Sequence, residues 1–396
     1  MNVVAQVFAV TAVSLRSLPQ RVGNSLVIVI GIAAVVSVLI TVLAMSAGFA
    51  RTIEGGARAD RVIFLSGNAD AESSSSLSRE AVAAISDFPG IRRDASGHAL
   101  VSNEIVLVAP VVRKHNGADA YITLRGVGPR MLSVRREVKI VSGRMFATGL
   151  HELVVGQAAA KQFEGLDVGG HIRLHDGDWT IVGVFAGGDN VRDSEVIADA
   201  QSVLSSYQMD TFHSTTALLA DEKSLQTLRA ALQAHSSLKL QVQTEPAYLA
   251  AVSAPTRQLL RAVAVAIGAL MTIGALFGAL NTMYSAVTAR SRELATLRAL
   301  GFDAGAVVVA LLLEALLLAL VGALLGIGAA YAAFDGHAIS TLGGSRWDSQ
   351  LVYSLTITPA LTLEAVLLAC VIGFIGGLIP ALHATRIPVA HSLRAV

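Results

Sequence analysis

Two long apolar runs enclose a short charged segment, Ser291-Arg292-Glu293-Leu294-Ala295-Thr296-Leu297-Arg298-Ala299-Leu300-Gly301. The spacing of its residues predicts a short helix. Each flanking run is long enough to cross a bilayer, which needs about 20 mostly apolar residues in helical form. The charged segment must therefore lie at one face of a membrane. Short loops between membrane helices seldom carry arginines and a glutamate at helical spacing without a docking partner, so we expect one at this face.

The composition indicates a multi-pass membrane protein. Hydrophobic residues make up 53% of the 396 residues and charged residues only 15%, the mean hydropathy is +0.61, and a soluble domain of this size carries more charge. Four apolar runs qualify as spans: Ser25–Phe49, Leu259–Val287, Ala304–Phe334 and Leu361–Leu382. The predicted order is an interfacial helix at 1–23, a first span at 24–49, an outer domain at 50–256, a second span at 257–288, the charged helix at 289–302, a third span at 303–334, a short outer loop at 335–360, a fourth span at 361–383 and a tail at 384–396.

The placement of arginine predicts the orientation, because short cytoplasmic loops are enriched in Lys and Arg. The arginines beside the spans are Arg16, Arg21, Arg290, Arg292, Arg298, Arg386 and Arg394. Both termini and the charged segment are therefore predicted to be cytoplasmic, and the large domain and the third loop to lie on the outer side of the membrane. The net charge of +1 gives no indication of a nucleic-acid partner. The single cysteine, Cys370, excludes an intrachain disulfide.

The outer region alternates predicted strands with helices. Strands are predicted at Arg61–Leu65, Ile105–Val112, Tyr121–Val127, Glu152–Gly156, Ile172–Leu174, Trp179–Phe185, Ala217–Leu219 and Lys239–Gln243. Helices are predicted from Leu77 to Phe88, Gln157 to Phe163 and Ser224 to Ala234, with Ser73–Ser76 as a loop. Pro246 and Pro255 are taken to mark the return to the membrane. The predicted fold class is an α-helical membrane protein with four transmembrane helices and a large extracytoplasmic α+β domain of two subdomains.

This layout resembles the MacB/FtsX-like family of ABC transporter permease subunits. The most specific match is Arg290 to Gly301, which is similar to the family pattern R-x-R-E-(I/L)-(G/A)-x-x-R-A-(L/I/V)-G. The block from Gly143 to Phe185 is similar to the family's outer-domain pattern, with Gly170 where aspartate is common. The C-terminal stretch from Pro380 to Arg394 resembles the closing family motif, with Ser392 in place of alanine.

The resemblance implies that the charged segment is a coupling helix, which docks in a groove of a cytoplasmic ABC ATPase. The residues implied in this role are Arg290, Arg292, Glu293, Leu294, Leu297, Arg298 and Gly301. We expect Leu294, Leu297 and Gly301 to form the apolar edge that enters the groove. A solvated, positively charged loop is the simpler alternative. The sequence contains no G-x-x-x-x-G-K-[ST] phosphate-binding loop, so ATP and Mg²⁺ are expected on a separate ATPase and no cofactor on this chain.

Polar residues and glycine pairs inside the apolar runs are further candidates. Glu314 is an intramembrane carboxylate, for which a packing or hydrogen-bonding role is favoured over proton relay, with Asn281 as its expected partner. Small residues four apart let helices approach closely. Three such pairs indicate tight packing either within a protomer or across a dimer: Gly274 with Gly278, Gly322 with Gly326, and Gly373 with Gly377.

The patterns indicate a transport subunit rather than an enzyme. His171 and His175 lack a third metal ligand, and we find no catalytic or metal-binding set of residues. The resemblance implies a homodimer with two ATPase subunits, which would transmit motion to the outer domain for efflux, often with a periplasmic adaptor and an outer-membrane channel. Membrane lipid would surround the spans. A lipoprotein-releasing permease and an FtsX-like regulator of a cell-wall hydrolase remain open alternatives, and the substrate cannot be read from the sequence.

Overall fold

The computed structural model describes residues 6–12, 22–175, 177–188, 190–221, 223–335, 338–340 and 352–386. Most of the outer loop at 335–360 and the closing motif beyond Arg386 therefore lie outside the described residues. The helices are α1 (6–12), α2 (Val22–Glu54), α3 (Arg79–Asp87), α4 (Met131–Val134), α5 (Gln157–Gln162), α6 (Ala200–Ser206), α7 (Ser224–Ala234), α8 (Glu245–Ala289), α9 (Ser291–Ala299), α10 (Ala304–Phe334) and α11 (Pro359–Arg386). The strands are β1 (Arg61–Ser66), β2 (Val101–Val112), β3 (Asp119–Val127), β4 (Lys139–Gly143), β5 (Glu152–Gly156), β6 (His171–Leu174), β7 (Gly177–Ala186), β8 (Glu195–Asp199), β9 (Ser214–Leu218), β10 (Leu240–Thr244), β11 (Ala338–Ser340) and β12 (Val352–Ser354).

The chain divides into two compact units. A helical unit is drawn from Met1–Ala47, Gln258–His337 and Leu355–Val396, and an α+β unit from Gly48–Arg257 and Ala338–Ser354. Four helices, α2, α8, α10 and α11, are long and apolar enough to cross a membrane. The predicted membrane fold with four transmembrane helices is thereby confirmed.

The second predicted span is part of a much longer helix. Helix α8 begins at Glu245 and continues through Pro255, so the helix that holds the second span starts well before the predicted bound at 257. Pro246 lies in the first helical turn, where backbone N–H groups have no intrahelical acceptor and a missing N–H costs little. The 45 residues of α8 span about 67 Å at 1.5 Å per residue.

The core of the α+β unit is a mixed sheet with the order β10-β1-β9-β2-β3-β8-β5-β7-β4, and β6 pairs with β7 outside this path. Strand β2 joins the two halves of the sheet. Its first residues, Val101 to Glu104, pair with β9, and the following residues, Ile105 to Val112, pair with β3. The two subdomains expected from the sequence are therefore halves of one sheet. The predicted strands are present, but the sequence analysis missed the strands β4, β8, β11 and β12 and the helices α4 and α6.

Buried ion pairs cross the core of this unit. The participating side chains are Arg61, Arg125, Arg135, Arg192, Glu72, Glu104, Glu195 and Glu245. Removing an isolated charge from water costs several kcal/mol, so such groups persist only when they are paired and hydrogen-bonded. The segment predicted as a loop at Ser73–Ser76 overlaps a short 3₁₀ helix, Glu72–Ser74, which places the Glu72 carboxylate among these arginines.

Arg125 on β3 is the most highly connected member of the network. Its guanidinium donates to Glu72 at 2.9 and 3.0 Å, to Glu104 at 2.8 Å and to Glu195 at 3.0 and 3.1 Å. These five bonds use the full donor capacity of an arginine side chain. Residues from β2, β3, β8 and the 3₁₀ helix are thus held at one point, and the orientation of Arg125 is fixed.

The same network anchors the start of α8. Glu245, the first residue of this helix, accepts hydrogen bonds at 2.6 Å from both Arg61 Nε and Arg135 Nη1. The backbone N–H of Arg58 donates to the same carboxylate at 3.0 Å. All three side chains of the ion pairs are almost fully buried. The N-terminal end of α8 is therefore joined to the sheet by charged hydrogen bonds in a dry environment, where such bonds are strong.

We predict that replacing Arg125 with methionine destabilises the α+β unit by about 3–5 kcal/mol, because three buried carboxylates lose the arginine that they share. Arg144→Met is the matched control. The side chain of Arg144 is 58% exposed and pairs with Glu152, and an exposed pair contributes about 1 kcal/mol or less. Thermal or denaturant unfolding of the full chain in detergent measures both effects. Equal losses of stability in the two variants would contradict the role assigned to the network.

Acid sensitivity is a second prediction. Burial raises the pKa of the Glu72 carboxyl, but the charge of Arg125 and its hydrogen bonds lower it more, and the pKa falls from 4.5 to about 2. A carboxyl with a depressed folded-state pKa stabilises the fold fully above pH 4.5 and loses that contribution as the pH falls toward 2. Glu72→Gln should therefore be less stable than the wild type at pH 7, on the order of 3 kcal/mol, and the difference should shrink below pH 4.5. Unfolding measured from pH 7 to pH 2.5 checks this, and a difference independent of pH would argue against it.

Candidate functional site

The charged segment forms a separate short helix, α9, directly after α8. The chain turns at Arg290 and the helix runs from Ser291 to Ala299. It ends in a Schellman motif, in which Gly301 N donates to Arg298 O at 3.1 Å and Phe302 N donates to Leu297 O at 3.2 Å. Gly301 has φ +89°, a left-handed conformation that glycine adopts without the steric strain of a side chain. Glycine at this position therefore sets the end of α9.

Arg290 and Glu314 form a buried ion pair at the base of α9. Arg290 Nη1 donates to Glu314 Oε2 at 2.9 Å, and the two residues are 3% and 5% exposed. Glu314 lies in α10, which is one of the four candidate spans. The pair therefore joins the start of α9 to α10. The carboxylate predicted to lie inside the membrane thus has a charged partner 24 positions away in the sequence.

The expected pairing of Glu314 with Asn281 is wrong. Asn281 is exposed on α8, whereas Ala279, Met283 and Val287 of the same helix are buried. Successive helical residues are rotated by about 100°, so a residue two positions from a buried one points to the opposite side. Asn281 therefore faces away from the interior of the helical unit.

The inner face of α9 packs against the spans. Leu294 is 8% exposed and belongs to a cluster with Val287, Val307, Leu311, Ala381 and Ala384 from α8, α10 and α11. At the end of α9, Arg298 Nη1 donates to the backbone carbonyl of Thr385 at 2.8 Å, near the end of α11. Helix α9 is therefore held at its beginning, middle and end by its own chain.

This arrangement corrects the expected docking edge. Leu294 is already covered by the protein, Leu297 is half-buried, and only Gly301 of the three is exposed. The outward face instead presents Arg292, Glu293 and Leu300. Leu300 is 72% exposed, and the sequence analysis did not single it out. Leu300 follows Leu294 by six residues, which puts the two side chains on different faces of a helix. This spacing was the signal in the sequence that Leu300 could be exposed where Leu294 is buried.

Two family models match the chain. The model of the MacB-like periplasmic core domain matches residues 22–235, and the model of the FtsX-like permease C-terminal region matches residues 265–389. Together they cover both units and include α9. The chain belongs to the MacB/FtsX-like family of ABC transporter permeases. The permease of this family thus includes the charged helix α9, the four spans and the α+β domain.

Curated relatives of the permease match over shorter stretches. YknZ, an ABC transporter permease of Bacillus subtilis strain 168, is 31% identical over 117 residues, which are 30% of this chain and 27% of YknZ. The macrolide export ATP-binding/permease protein MacB of Psychrobacter cryohalolentis is 32% identical over 116 residues, which are 29% of this chain and 16% of MacB. The alignments therefore span less than a third of each relative's own length.

Two solved structures similar to this chain are outer domains of transporters. The periplasmic region of MacB from Actinobacillus actinomycetemcomitans has a TM-score of 0.37 at 14% identity and covers 48% of this chain and 91% of that one. The extracellular domain of the ABC-type transporter YknZ from Gram-positive bacteria has a TM-score of 0.35 at 15% identity. This match covers 46% of this chain and 99% of the YknZ domain.

The glycine pairs of the permease fall into two classes. A side chain at Gly322 or Gly326 would come within 2.9 or 2.5 Å of carbonyl oxygens of α2, and one at Gly373 or Gly377 would come within 2.6 Å of α10 alanines. These four glycines therefore permit close packing within the protomer, as small residues at helix interfaces do. For the third pair, Gly274 and Gly278 of α8, a side chain would meet nothing within 4 Å in the described structure.

We predict that Arg290 and Glu314 are strongly coupled. Arg290→Leu or Glu314→Leu alone leaves a buried, uncompensated charge, which costs about 3–5 kcal/mol, whereas replacing both removes the two charges together. Each single variant should open α9 and raise the rate of trypsin cleavage at exposed Arg292 by at least about 100-fold, which corresponds to about 2.7 kcal/mol. The double variant should be cleaved at a rate close to that of the wild type. Cleavage of the double variant as fast as both single variants would show that the pair does not hold α9.

Proposed function

We propose that this chain is the permease subunit of an ATP-driven export complex, in which a separate cytoplasmic ABC ATPase acts on α9. The observation that carries the proposal is the division of α9 into two faces. The inner face, with Leu294, is fixed to the spans, while Arg292, Glu293 and Leu300 are exposed. An apolar anchor beside charged residues is the composition of a protein-docking surface, in which a few large side chains dominate the binding energy.

The attachments of α9 suit it to receive force. The Arg290–Glu314 pair connects it to α10, the bond from Arg298 to Thr385 connects it to α11, and Leu294 packs among both of these helices and α8. A displacement applied to the outer face of α9 would therefore move α9 together with the three spans, because packed, hydrogen-bonded elements shift as units rather than deforming continuously.

Helix α8 offers a continuous route from α9 to the α+β domain. It ends at Ala289, immediately before Arg290, and begins at Glu245, whose carboxylate is held by Arg61 and Arg135. In this proposal, ATP-driven motion at α9 passes along α8 and alters the α+β domain, where the work of export is done. The network around Glu245 would resist slippage between helix and sheet.

The remaining parts of the proposed complex follow from the arginine distribution and the family. Both termini and α9 would lie in the cytoplasm and the α+β domain outside an inner membrane. ATP and Mg²⁺ would bind the partner ATPase, since the 396 residues contain no phosphate-binding loop of the P-loop type. A homodimer with two ATPases is the simplest assembly. Efflux, with a periplasmic adaptor and an outer-membrane channel, is favoured because two relatives are named macrolide export proteins.

Loss of the docking surface should uncouple the permease from its ATPase. The variant Arg292→Glu/Leu300→Asp changes two exposed residues and leaves the inner face of α9 intact. We expect the ATP hydrolysis that co-purifies with the full chain from native membranes to fall at least tenfold, the change that a loss of about 1.4 kcal/mol in binding produces. The thermal unfolding midpoint should stay unchanged.

Glu364→Arg is the matched control, since it reverses an exposed charge on α11 and should leave the co-purifying ATPase activity as in the wild type. Full activity in the double variant would refute docking at Arg292 and Leu300. Mass spectrometry of the same wild-type preparation separates the possible roles, because an adaptor, a lipoprotein or a cell-wall hydrolase would each indicate a different one.

A further inference from the structure

Three arginines of the α+β unit meet at one small pocket, which is lined by Arg58, Asp60, Arg92, Val134, Arg136 and Leu218. We call it the arginine pocket. Its volume is about 20 Å³, and a single water needs about 10–15 Å³ measured in the same way. The pocket therefore takes one end group of a ligand rather than a whole organic molecule.

The floor of the arginine pocket is apolar and fixed in position. Val134 and Leu218 are 2% and 3% exposed and form a buried cluster with Leu100. Arg92 is attached to this cluster through its backbone, since Arg92 N donates to Leu218 O and Leu100 N donates to Arg92 O, both at 2.8 Å. The guanidinium of Arg92 therefore extends from a backbone that is held on both sides.

The other two arginines stand in turns of the backbone. Arg58 lies in a turn that the bond from Arg61 N to Arg58 O closes at 3.1 Å. Arg136 lies inside a turn that the bond from Val138 N to Arg135 O closes, also at 3.1 Å. Arg58 and Arg136 are exposed, whereas Arg92 is half-buried. A ligand can therefore reach the pocket from solvent.

One carboxylate, Asp60, lines the arginine pocket, and it is already engaged. Arg58 Nε donates to Asp60 Oδ1 at 2.8 Å, and Arg58 Nη2 donates to Asp60 Oδ2 at 3.0 Å. The hydrogen bond from Arg58, together with the charges of Arg58 and Arg92, lowers the pKa of the Asp60 carboxyl against the opposing effect of burial. Asp60 is therefore ionised at neutral pH and neutralises Arg58 in a bidentate pair.

Arg92 and Arg136 have no such partner. Within the part of the chain that the structure describes, neither guanidinium makes a hydrogen bond or an ion pair. The carboxylates of Glu137 and Glu245 do not line the pocket and are bonded to Arg61. Three guanidinium charges and one carboxylate leave the lining with a net charge of +2. Like charges in one pocket repel each other, and an anion placed between them is attracted to both.

We propose that the arginine pocket binds the phosphate group of a phosphomonoester. Such a group carries a charge of about −1.5 to −2 at pH 7 and three strong acceptor oxygens, which matches the net charge of the lining. Arginine presents planar pairs of N–H donors that fit phosphate oxygens bidentately, so Arg92 and Arg136 together can hold one group. A phosphodiester, such as a lipid headgroup, carries less charge and fewer unesterified oxygens, and therefore fits the lining less well.

The arginine pocket adjoins the anchor of α8. The side chain of Arg58 lines the pocket, and its backbone N–H donates to Glu245, the first residue of α8, at 3.0 Å. A ligand in the pocket would therefore stabilise the segment that holds α8 at the sheet. This inference goes beyond the proposed function. It does not depend on ATP turnover, so its test and the ATPase test of α9 can fail separately.

Calorimetric titration of the full chain with glycerol phosphate tests the proposal. The protein is held in lipid discs of phosphatidylcholine, and sodium chloride keeps the ionic strength constant. We expect saturable binding, which Arg92→Gln/Arg136→Gln should weaken by at least about tenfold, because charged hydrogen bonds are lost. Glycerol phosphate should also raise the thermal unfolding midpoint of the wild type but not of this variant, since a ligand that binds only the folded state stabilises it.

Arg173→Gln/Arg229→Gln is the matched control. It removes the same charge from two exposed arginines, one on β6 and one on α7, which do not line the pocket. This variant should bind glycerol phosphate as the wild type does. Arg136→Gln alone changes an exposed residue, so its weakened binding at an unchanged unfolding midpoint tests the proposal even where the double variant fails to fold.

A soluble diester separates the two sources of the phosphate group. Glycerophosphoglycerol, the water-soluble headgroup of phosphatidylglycerol with its phosphate, should bind at least about tenfold more weakly than glycerol phosphate, because it carries less charge. Three results would overturn the proposal. The first is no saturable binding of glycerol phosphate by the wild type. The second is equal binding by the Arg92→Gln/Arg136→Gln and control variants. The third is equal or tighter binding of the diester, which would assign the pocket to lipid headgroups.

Discussion

The buried pair of Arg290 and Glu314 is the interaction on which the arrangement of the helical unit depends. It lies at the turn between α8 and α9 and fixes that turn to α10. Without Glu314 the guanidinium would have to leave its buried site, because an unpaired charge is costly in the protein interior. With the pair in place, Leu294 is directed into the cluster between the spans and Arg298 reaches Thr385. The outward direction of Arg292 and Leu300 follows from these contacts.

Buried charge pairs of the same kind hold the other end of α8. In the α+β unit, Glu245 is bound by Arg61 and Arg135, and Arg125 joins three carboxylates further into the sheet. Charged hydrogen bonds in a dry core specify position more strictly than apolar contacts, because a shift that breaks one of them leaves a buried charge unpaired. The helix is thus fixed in each unit by interactions that allow little sliding.

The sequence predicted the features that depend on local composition. The four spans, the charged helix, most strands and the family motif could all be found from apolar runs, periodicity and turn residues. The ion pairs could not, because Arg290 and Glu314, or Arg61 and Glu245, are far apart in the sequence and meet only through the fold. Strand β8 was missed since it is short and follows the polar residues of a 3₁₀ helix. Leu294 was expected on the exposed edge of α9 because helical periodicity shows that Leu294 and Leu300 lie on different faces but not which face the spans cover.

The division of α9 into a face held by the spans and a face open to a partner is tested most directly by photo-cross-linking in intact cells. A photoreactive amino acid is placed at position 292, 294 or 300 of the full chain, and the products are identified by mass spectrometry. Adducts with an ABC ATPase from positions 292 and 300, and adducts only within the chain from position 294, are the predicted result. Adducts with the ATPase from position 294 and none from positions 292 and 300 would contradict the account.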